Sequence, residues 1–212
     1  MYVGRIVAVG KNKAGANAVM YRVSSRSFPN RQAVDNNGTL AIVPRPGAEG
    51  DLQKNPYIAY NALRLAGDWA IATNGTHTDP ITEKIAQGMS VRDAMAITLL
   101  ALDYEKDDFD TPRIAAAVPR YGDTGWLAIV RKDGLVVKEV ALENGKAQYL
   151  ATYEANDVRE SQTSGFDATS AGAAAAFAVS GGAFADLEKP VTSVAALTND
   201  AGFALGTFIV DA

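Results

Sequence analysis

Short apolar runs separated by polar turns fill the first third of the chain and predict β-strands. The runs at residues 2–9 and 18–24 are separated by a turn rich in Lys, Asn and Gly. Three more runs, at residues 40–43, 57–63 and 69–73, have the same character. This region is therefore predicted to form a sheet of short strands.

Helical patterns follow in the middle of the chain. Asp79 lies immediately before Pro80, and because proline is favoured in the first turn of a helix, Asp79 is interpreted as an N-cap. Ser90 and Asp93 have the spacing of a second capping pair. The apolar residues that share one face of this second helix are Val91, Met95, Leu99 and Leu102.

Strand patterns return in the second half of the chain. The predicted strands cover residues 114–118, 126–131, 135–142 and 148–153. An Asp-Gly pair at residues 133–134 is a hairpin signal. The alanine-rich stretch at residues 168–185, interrupted by two glycines, predicts a packed helix, and residues 194–197 and 203–210 predict a closing hairpin.

The predicted helices cluster instead of alternating with each strand. This order favours an α+β fold with largely antiparallel sheets over a doubly wound parallel sheet. Two sheets between helical layers would bury the apolar runs. Because the sequence has no internal repeat and no long Pro/Ser-rich linker, residues 1–212 are interpreted as a single domain.

Composition narrows the function classes. The net charge of −4 does not favour a nucleic-acid partner, although a small anionic ligand needs only a few local cations. The absence of cysteine excludes disulfides and thiolate catalysis. The sequence has no P-loop, no dinucleotide-binding glycine motif and no serine nucleophile elbow. It also shows no secretory signal and no apolar run long enough to span a bilayer, so the expected location is the cytoplasm, without membrane contact.

A polar turn at residues 24–31 is the first candidate site. It holds two arginines, Arg26 and Arg31, together with three serines and a proline. Arginine binds phosphate through a planar fork of donors, and hydroxyls and backbone amides can complete the cradle. On composition alone, a solvated turn whose serines bond the backbone is the more common explanation.

Two tyrosines and an asparagine form the second candidate site. In a strand, Tyr57 and Asn61 would share one face and Tyr60 would lie on the other. A tyrosine hydroxyl can donate to a developing oxyanion, and its ring can stack on a base. A core tyrosine with a satisfied hydroxyl is the alternative.

Two further polar segments flank the predicted helices. Residues 74–80 contain Asn74 and the single histidine, His77, and they precede a helix N-terminus whose free N–H groups favour anions. Residues 103–113 contain five carboxylates, one of which could serve as a general base. Their spacing does not fit an EF-hand, so no metal site is assigned. A helix cap and a solvated acidic loop are the simpler explanations.

Several ordered blocks of the sequence resemble the archaeal-type IMP cyclohydrolase family. The most specific are Ser-Ser-Arg-Ser-Phe-Pro-Asn-Arg at residues 24–31 and Asn-Gly-Thr-His-Thr-Asp-Pro at residues 74–80. The other blocks lie at residues 1–10, 21–23, 55–61, 104–108, 111–113 and 165–167. The resemblance therefore runs through most of the chain in order.

The resemblance implies both a fold and a reaction. The fold is a four-layer α/β/β/α sandwich like that of N-terminal nucleophile hydrolases. The reaction is the dehydrative closure of 5-formamidoimidazole-4-carboxamide ribonucleotide to IMP, the last step of de novo purine biosynthesis. Those hydrolases attack with an N-terminal Ser, Thr or Cys, whereas Met1 and Tyr2 offer no such group here, so chemistry without a covalent intermediate is expected.

The resemblance also implies site residues. Tyr60 would donate to the formyl oxygen, Glu105 would transfer protons, and Arg31 would be the third catalytic residue. The expected substrate-binding residues are Ser25, Arg26, Asn30, Tyr57, Asn74 and Glu154. Which arginine holds the phosphate and which positions the carboxamide is left open. The expected ligand is a purine nucleotide, without metal or cofactor, and homo-oligomerisation is left open.

Two other functions remain under consideration. The first is a true N-terminal nucleophile amidohydrolase, which would require processing to a residue such as Ser24. The second is a purine-nucleotide-binding module of the same fold that does not catalyse the reaction.

Overall fold

The computed structural model describes residues 1–211 and, within them, thirteen strands and four α-helices. The strands are β1 (Ile6–Lys11), β2 (Asn17–Ser24), β3 (Arg31–Asn36), β4 (Thr39–Pro44), β5 (Tyr60–Ala66), β6 (Trp69–Thr73), β7 (Arg113–Pro119), β8 (Thr124–Arg131), β9 (Gly134–Ala141), β10 (Lys146–Ala151), β11 (Thr163–Gly165), β12 (Pro190–Asn199) and β13 (Gly202–Ile209). The helices are α1 (Asp51–Lys54), α2 (Thr78–Ala86), α3 (Val91–Leu102) and α4 (Ala171–Ser180).

The strands form two antiparallel sheets, as the clustered helices predicted. The six-stranded sheet has the order β11-β10-β1-β2-β12-β13, so strands from both ends of the chain meet at its centre. The seven-stranded sheet runs from β3 to β9 in chain order. Its neighbouring strands are joined directly, except that α1 separates β4 from β5 and the α2–α3 pair separates β6 from β7. The chain is thus an α+β fold.

The two sheets pack face to face, and side chains alternate between this shared core and the outer faces. Along β1, Val7 and Val9 lie in the shared core, whereas Ile6 and Ala8 pack on the outer side with α4. Both faces are covered, so all side chains of β1 and β2 are buried. This explains why these strands appear in the sequence as nearly continuous apolar runs.

Helices cover the outer face of each sheet. The alanine-rich α4 contacts β2, β12 and β13. Its N-terminal backbone lies so close to β13 that a Cβ at Gly206 would fall 2.3 Å from the carbonyl carbon of Ala171. On the other side, α2 and α3 pack against the seven-stranded sheet through Ile81, Met95 and Leu99. Within residues 1–211, no helix is long and apolar enough to cross a membrane.

Several predicted elements are confirmed. Ser90 caps α3 by accepting a hydrogen bond from the Asp93 amide at 3.2 Å. The hairpin predicted at residues 133–134 joins β8 to β9, with Arg131 paired to Gly134. The closing hairpin is formed by β12 and β13.

Two predicted element boundaries are wrong, and one strand was missed, for local reasons. The first strand begins at Ile6 instead of residue 2, because Gly4 has a φ of 74° that interrupts extended backbone. Tyr57 lies in a 3₁₀ turn that the Asn55 side chain caps by accepting from the Tyr57 amide at 2.8 Å, so that strand begins only at Tyr60. The third strand, beginning at Arg31, was not predicted because its outer half is polar.

The N-cap prediction for Asp79 is also wrong. Helix α2 begins at Thr78, and His77 occupies the cap position without a side-chain hydrogen bond. The Asp79 carboxylate instead accepts hydrogen bonds from Asn61 at 2.9 Å and from Arg64 at 2.8 Å. This places Asn61 in a link between β5 and α2.

Candidate active site

One end of the sandwich contains a cavity of about 490 Å³. Its walls come from residues before β1, the turn between β2 and β3, the 3₁₀ turn before β5 and the start of β5, the segment after β6, and the loops that follow α3 and β10. A volume of this size is within the range of small-molecule sites. The cavity is therefore built from segments that are far apart in sequence and meet where strands end.

The turn between β2 and β3 supplies arginines to one wall. Ser25 is buried and accepts a hydrogen bond from the Phe28 amide at 3.0 Å, which closes the turn. Arg31 follows at the start of β3, is 4% exposed, and donates from Nε to the Phe28 carbonyl at 3.1 Å. Arg26 lies at the rim, where it stacks on Tyr2 and pairs loosely with Glu188 at 3.7 Å. The wall thus offers one buried and one exposed guanidinium.

Tyr60 lies at the boundary between the two sheets. Its ring is in the shared core, and its hydroxyl is 2.5 Å from the hydroxyl of Tyr21 on the opposite sheet. Tyr60 lines the cavity, whereas Tyr21 is fully buried behind it. Burial, together with the neighbouring Tyr60, raises the pKa of Tyr21 well above its usual value.

Glu105 is buried in the cavity wall between two guanidinium groups. One carboxylate oxygen lies 3.7 Å from Arg5 and the other lies 3.4 Å from Arg113. Arg113 is fixed in turn, because its Nε donates to the Asp103 carbonyl at 2.9 Å. Both contacts to Glu105 are longer than a charge-assisted hydrogen bond, so the carboxylate keeps most of its hydrogen-bonding capacity for a ligand.

The burial of Glu105 has an electrostatic consequence. Loss of water around the carboxylate raises its pKa, and the attraction of Arg5 and Arg113 offsets only part of that rise. A carboxyl group with a raised pKa can exchange a proton closer to neutral pH than an exposed glutamate can. Glu105 therefore has the properties of a general acid–base group.

Asn74 and His77 organise the backbone behind this carboxylate. The Asn74 side chain donates to the Pro112 carbonyl at 2.9 Å and accepts from the Ile114 amide at 2.8 Å, so it brackets Arg113. His77 is fully buried and contacts the Ile114 carbonyl at 2.9 Å. Burial lowers the pKa of His77 to about 3, which keeps the ring neutral.

Two other acidic residues of the loop after α3 are engaged in local contacts. Asp107 also lines the cavity, but its carboxylate accepts from the Thr111 amide at 2.9 Å and the Thr111 hydroxyl at 2.7 Å. Asp103 pairs with Lys106 at 2.6 Å. Within residues 1–211, no three acidic or histidine side chains are grouped as metal ligands would be.

Eight of the nine predicted site residues line this cavity. They are Ser25, Arg26, Arg31, Tyr57, Tyr60, Asn74, Glu105 and Glu154. The ninth, Asn30, is exposed outside the lining, where its carbonyl accepts from the Arg45 amide at 2.9 Å. Tyr57 and Glu154 are exposed at the mouth, whereas Arg31, Tyr60 and Glu105 are buried.

Several residues of the cavity had no role predicted from the sequence. Arg5 was interpreted as part of a strand, although Gly4 releases it from the sheet and lets it reach Glu105. Arg113 and Tyr21 lie within blocks of family resemblance, but nothing in their spacing indicated contact with Glu105 or Tyr60. The remaining lining residues without a predicted role are Met1, Tyr2, Ser27, Phe28, Asn55, Ile58, Asp107, Phe109 and Tyr153.

The arrangement supports a defined kind of chemistry. The rim and one wall can hold an anion, since they combine guanidinium groups with the hydroxyl of Ser25. The buried end combines a phenol that can donate a hydrogen bond with a carboxyl group that can exchange a proton. A ligand with an anionic tail and a polar reacting end matches this division.

Comparisons with known proteins show the family of the chain. Residues 2–202 match the family model described as IMP cyclohydrolase-like protein. An IMP cyclohydrolase of Methanosphaera stadtmanae is 48% identical over 94% of this chain and 96% of its own length. IMP cyclohydrolases of Methanococcus maripaludis C7 and Natronomonas pharaonis are 45% and 44% identical, each over 98% of this chain and over 100% and 98% of their own lengths. The chain therefore belongs to the IMP cyclohydrolase-like family.

Proposed function

We propose that the protein is an IMP cyclohydrolase, which closes 5-formamidoimidazole-4-carboxamide ribonucleotide to IMP with loss of water. The observation that carries this proposal is the environment of Glu105. Its buried carboxylate lies in the same cavity as Tyr60 and several arginines, and its long contacts to Arg5 and Arg113 leave its oxygens able to bind a ligand. The full-length similarity to proteins named IMP cyclohydrolase supports the same reaction. As an enzyme of purine biosynthesis, it is expected to act in the cytoplasm.

The reaction joins two groups of one molecule. The carboxamide nitrogen attacks the formyl carbon, and one of its protons is transferred to the formyl oxygen, which becomes a hydroxyl group. The formamide nitrogen then loses its proton, the hydroxyl group gains one and leaves as water, and the double bond between the formamide nitrogen and the former formyl carbon forms. Because amide nitrogen is a weak nucleophile, holding both groups in attacking geometry can lower the barrier by several kcal/mol, up to about 7–11 in ideal cases.

Tyr60 is the group that stabilises the developing oxyanion. Its hydroxyl lies at the inner wall of the cavity, where Tyr21 fixes one side of it. A donor placed in a site with little water stabilises negative charge more strongly than the same donor in bulk water. Hydrogen bonding from Tyr60 to the formyl oxygen therefore favours attack on the formyl carbon.

Glu105 carries the proton through the reaction. As a carboxylate it accepts the proton of the attacking nitrogen and passes it to the formyl oxygen. It then accepts the proton of the formamide nitrogen and passes it to the departing hydroxyl group. No net proton is gained or lost by the enzyme in this cycle. The neighbouring guanidinium groups of Arg5 and Arg113 keep the carboxylate in place between the two steps.

The two arginines of the β2–β3 turn have different roles in substrate binding. Arg31 is buried close enough to Tyr21 and Glu105 to influence both electrostatically, so it orients the carboxamide and the reacting end. Arg26 is exposed at the rim, so it and Ser25 hold the phosphate. Asn74 contributes mainly by bracketing the backbone around Arg113.

The two-sheet sandwich with outer helices matches the layer order of N-terminal nucleophile hydrolases, and we include the protein in that fold class. The amidohydrolase alternative would need a cut before Ser24. That residue is fully buried and its hydroxyl accepts from Arg22 at 2.9 Å. Such a cut would also remove β1 and nearly all of β2 from the centre of the six-stranded sheet. These observations favour ring closure without a covalent intermediate.

An activity assay tests the proposed function. Purified protein mixed with the formamido ribonucleotide should produce IMP, followed by its ultraviolet absorbance and by chromatography. Tyr60→Phe should lower turnover at least about tenfold while the circular dichroism spectrum is retained. If the wild-type protein binds IMP but forms none from the substrate, it is a nucleotide-binding module and the proposal is wrong.

A further inference from the structure

The contact between Tyr21 and Tyr60 joins the two sheets directly behind the cavity. Tyr21 belongs to β2 and Tyr60 to β5, and their hydroxyl oxygens are 2.5 Å apart. Tyr21 is fully buried, whereas Tyr60 is 8% exposed and lines the cavity. Each hydroxyl has one hydrogen, so the pair can share only one hydrogen bond.

The surroundings of Tyr21 decide the direction of that hydrogen bond. Within residues 1–211, the Tyr60 hydroxyl is the only hydrogen-bond partner of the Tyr21 hydroxyl. The charged groups that influence Tyr21 are Arg5 and Arg31, and a guanidinium cannot accept a hydrogen bond. If Tyr60 donated to Tyr21, the Tyr21 hydrogen would be buried without an acceptor, which buried polar groups rarely tolerate.

We propose that Tyr21 is a positioning residue that donates its hydroxyl hydrogen to Tyr60 and so leaves the Tyr60 hydrogen directed into the cavity. Tyr60 then always presents a donor, and never only a lone pair, to the reacting end of the ligand. In the ring closure proposed above, on which this inference rests, that donor meets the formyl oxygen. A donor that also accepts a hydrogen bond is strengthened by it.

The guanidinium groups of Arg5 and Arg31 favour the same direction of the hydrogen bond, from Tyr21 to Tyr60. Arg5 and Arg31 act electrostatically on Tyr21 and oppose part of the effect of burial on its pKa, which makes its O–H a stronger donor to Tyr60. Burial raises the pKa of Tyr21, which keeps it protonated and available as the donor. Tyr21 thus acts through Tyr60 and does not contact the ligand.

Kinetics of a double-mutant cycle test this inference. Tyr21→Phe keeps the ring and removes only the hydroxyl, so kcat should fall about five- to tenfold with KM nearly unchanged. In a Tyr60→Phe background, Tyr21→Phe should cause no further loss of kcat, because its partner is already absent. Equal losses in both backgrounds, or no loss in either, would overturn the proposal.

A matched control separates this effect from general damage to the six-stranded sheet. Tyr149→Phe removes a hydroxyl from β10 of the same sheet, where the ring packs edge-on against Phe184 on the outer side. This variant should keep wild-type kcat. A comparable fall of kcat in Tyr149→Phe would assign the Tyr21 effect to sheet stability and contradict the positioning role.

Neutron diffraction of a deuterium-exchanged wild-type crystal tests the direction without any activity. The deuteron between the two oxygens should be bonded to Tyr21, and the Tyr60 deuteron should point into the cavity. A deuteron bonded to Tyr60 and directed at Tyr21 would overturn the inference even if ring closure is demonstrated. Conversely, the expected positions would stand even if the wild-type protein formed no IMP, which would count against the proposed function alone.

Discussion

Two neighbouring residues of β2, Tyr21 and Arg22, are both fully buried and polar, yet they face opposite sides of the six-stranded sheet. Arg22 faces α4, where its five N–H groups meet the Ser24 hydroxyl and four backbone carbonyls at 2.7–3.4 Å. Tyr21 faces the shared core behind the cavity, where its hydroxyl contacts that of Tyr60. The two sites differ in how many of their polar atoms already have hydrogen-bond partners within the protein.

The Arg22 site is closed, whereas the cavity site is open. Every donor of Arg22 has an acceptor, although burial without a carboxylate partner lowers the pKa of Arg22 to about 10. Within the described residues 1–211, the Glu105 carboxylate has only the long contacts to Arg5 and Arg113, at 3.7 and 3.4 Å. A buried polar group whose hydrogen bonds are all made stabilises the fold. A polar group next to a cavity that can still accept hydrogen bonds is available to a ligand.

The largest effect on stability is expected at the closed site. Arg22→Met should lower the free energy of unfolding by about 3 kcal/mol, because the carbonyl of Val179 in α4 and three carbonyls of the segment after α4 lose their donors inside the protein. Urea unfolding measures this change. Protein that remains folded should keep its kcat, and Arg92→Met, at an exposed pair, provides the control. Unchanged stability in Arg22→Met would show that the closed site is not structural.

At the open site, a substitution is expected to lower activity and to leave stability unchanged. Glu105→Gln should lower kcat about a hundredfold, because proton transfer is lost, while stability is retained. Since burial raises the pKa of Glu105, wild-type activity should fall with decreasing pH at a higher pH than for an exposed glutamate. The residual activity of the variant should lack that dependence. A pH–rate profile of both proteins checks this, and a wild-type kcat in the variant would remove Glu105 from the mechanism.

A smaller effect is expected at the rim of the cavity. Arg26→Ala should weaken IMP binding about three- to tenfold in calorimetry, because an exposed guanidinium contributes modestly to phosphate affinity. The effect should decrease as salt is added. Arg92→Ala, far from the cavity lining, should bind IMP like the wild type. If Arg26→Ala also binds normally, the phosphate lies elsewhere.

Much of the fold follows from the order of apolar runs and polar turns along the chain. Most strands and the Ser90 cap were predicted because they depend on neighbours in sequence, and the clustering of the helices predicted the antiparallel arrangement. The pattern could not indicate that Gly4 ends the extended segment before β1, nor that Asp79 binds Asn61 and Arg64 instead of capping α2. Both outcomes depend on contacts between distant segments.

The site residues that the family resemblance implies could be predicted from the sequence. The residues whose roles depend on contacts between distant segments could not. Arg31, Tyr60 and Glu105 were expected in one pocket, and they line one cavity. Tyr21 and Arg22 are adjacent in a buried strand, and only the packing of β5 on one side and α4 on the other separates their roles. The sequence does not encode that distinction locally.

In the proposed mechanism, the open site receives the reacting end of a purine nucleotide. A crystal structure of the protein with IMP would locate both ends of the ligand. We expect the C2 edge of the base at Tyr60 and Glu105, with the phosphate at Arg26 and Ser25. A nucleotide bound outside this cavity, or with its phosphate against Arg5 and Arg113, would contradict this mechanism.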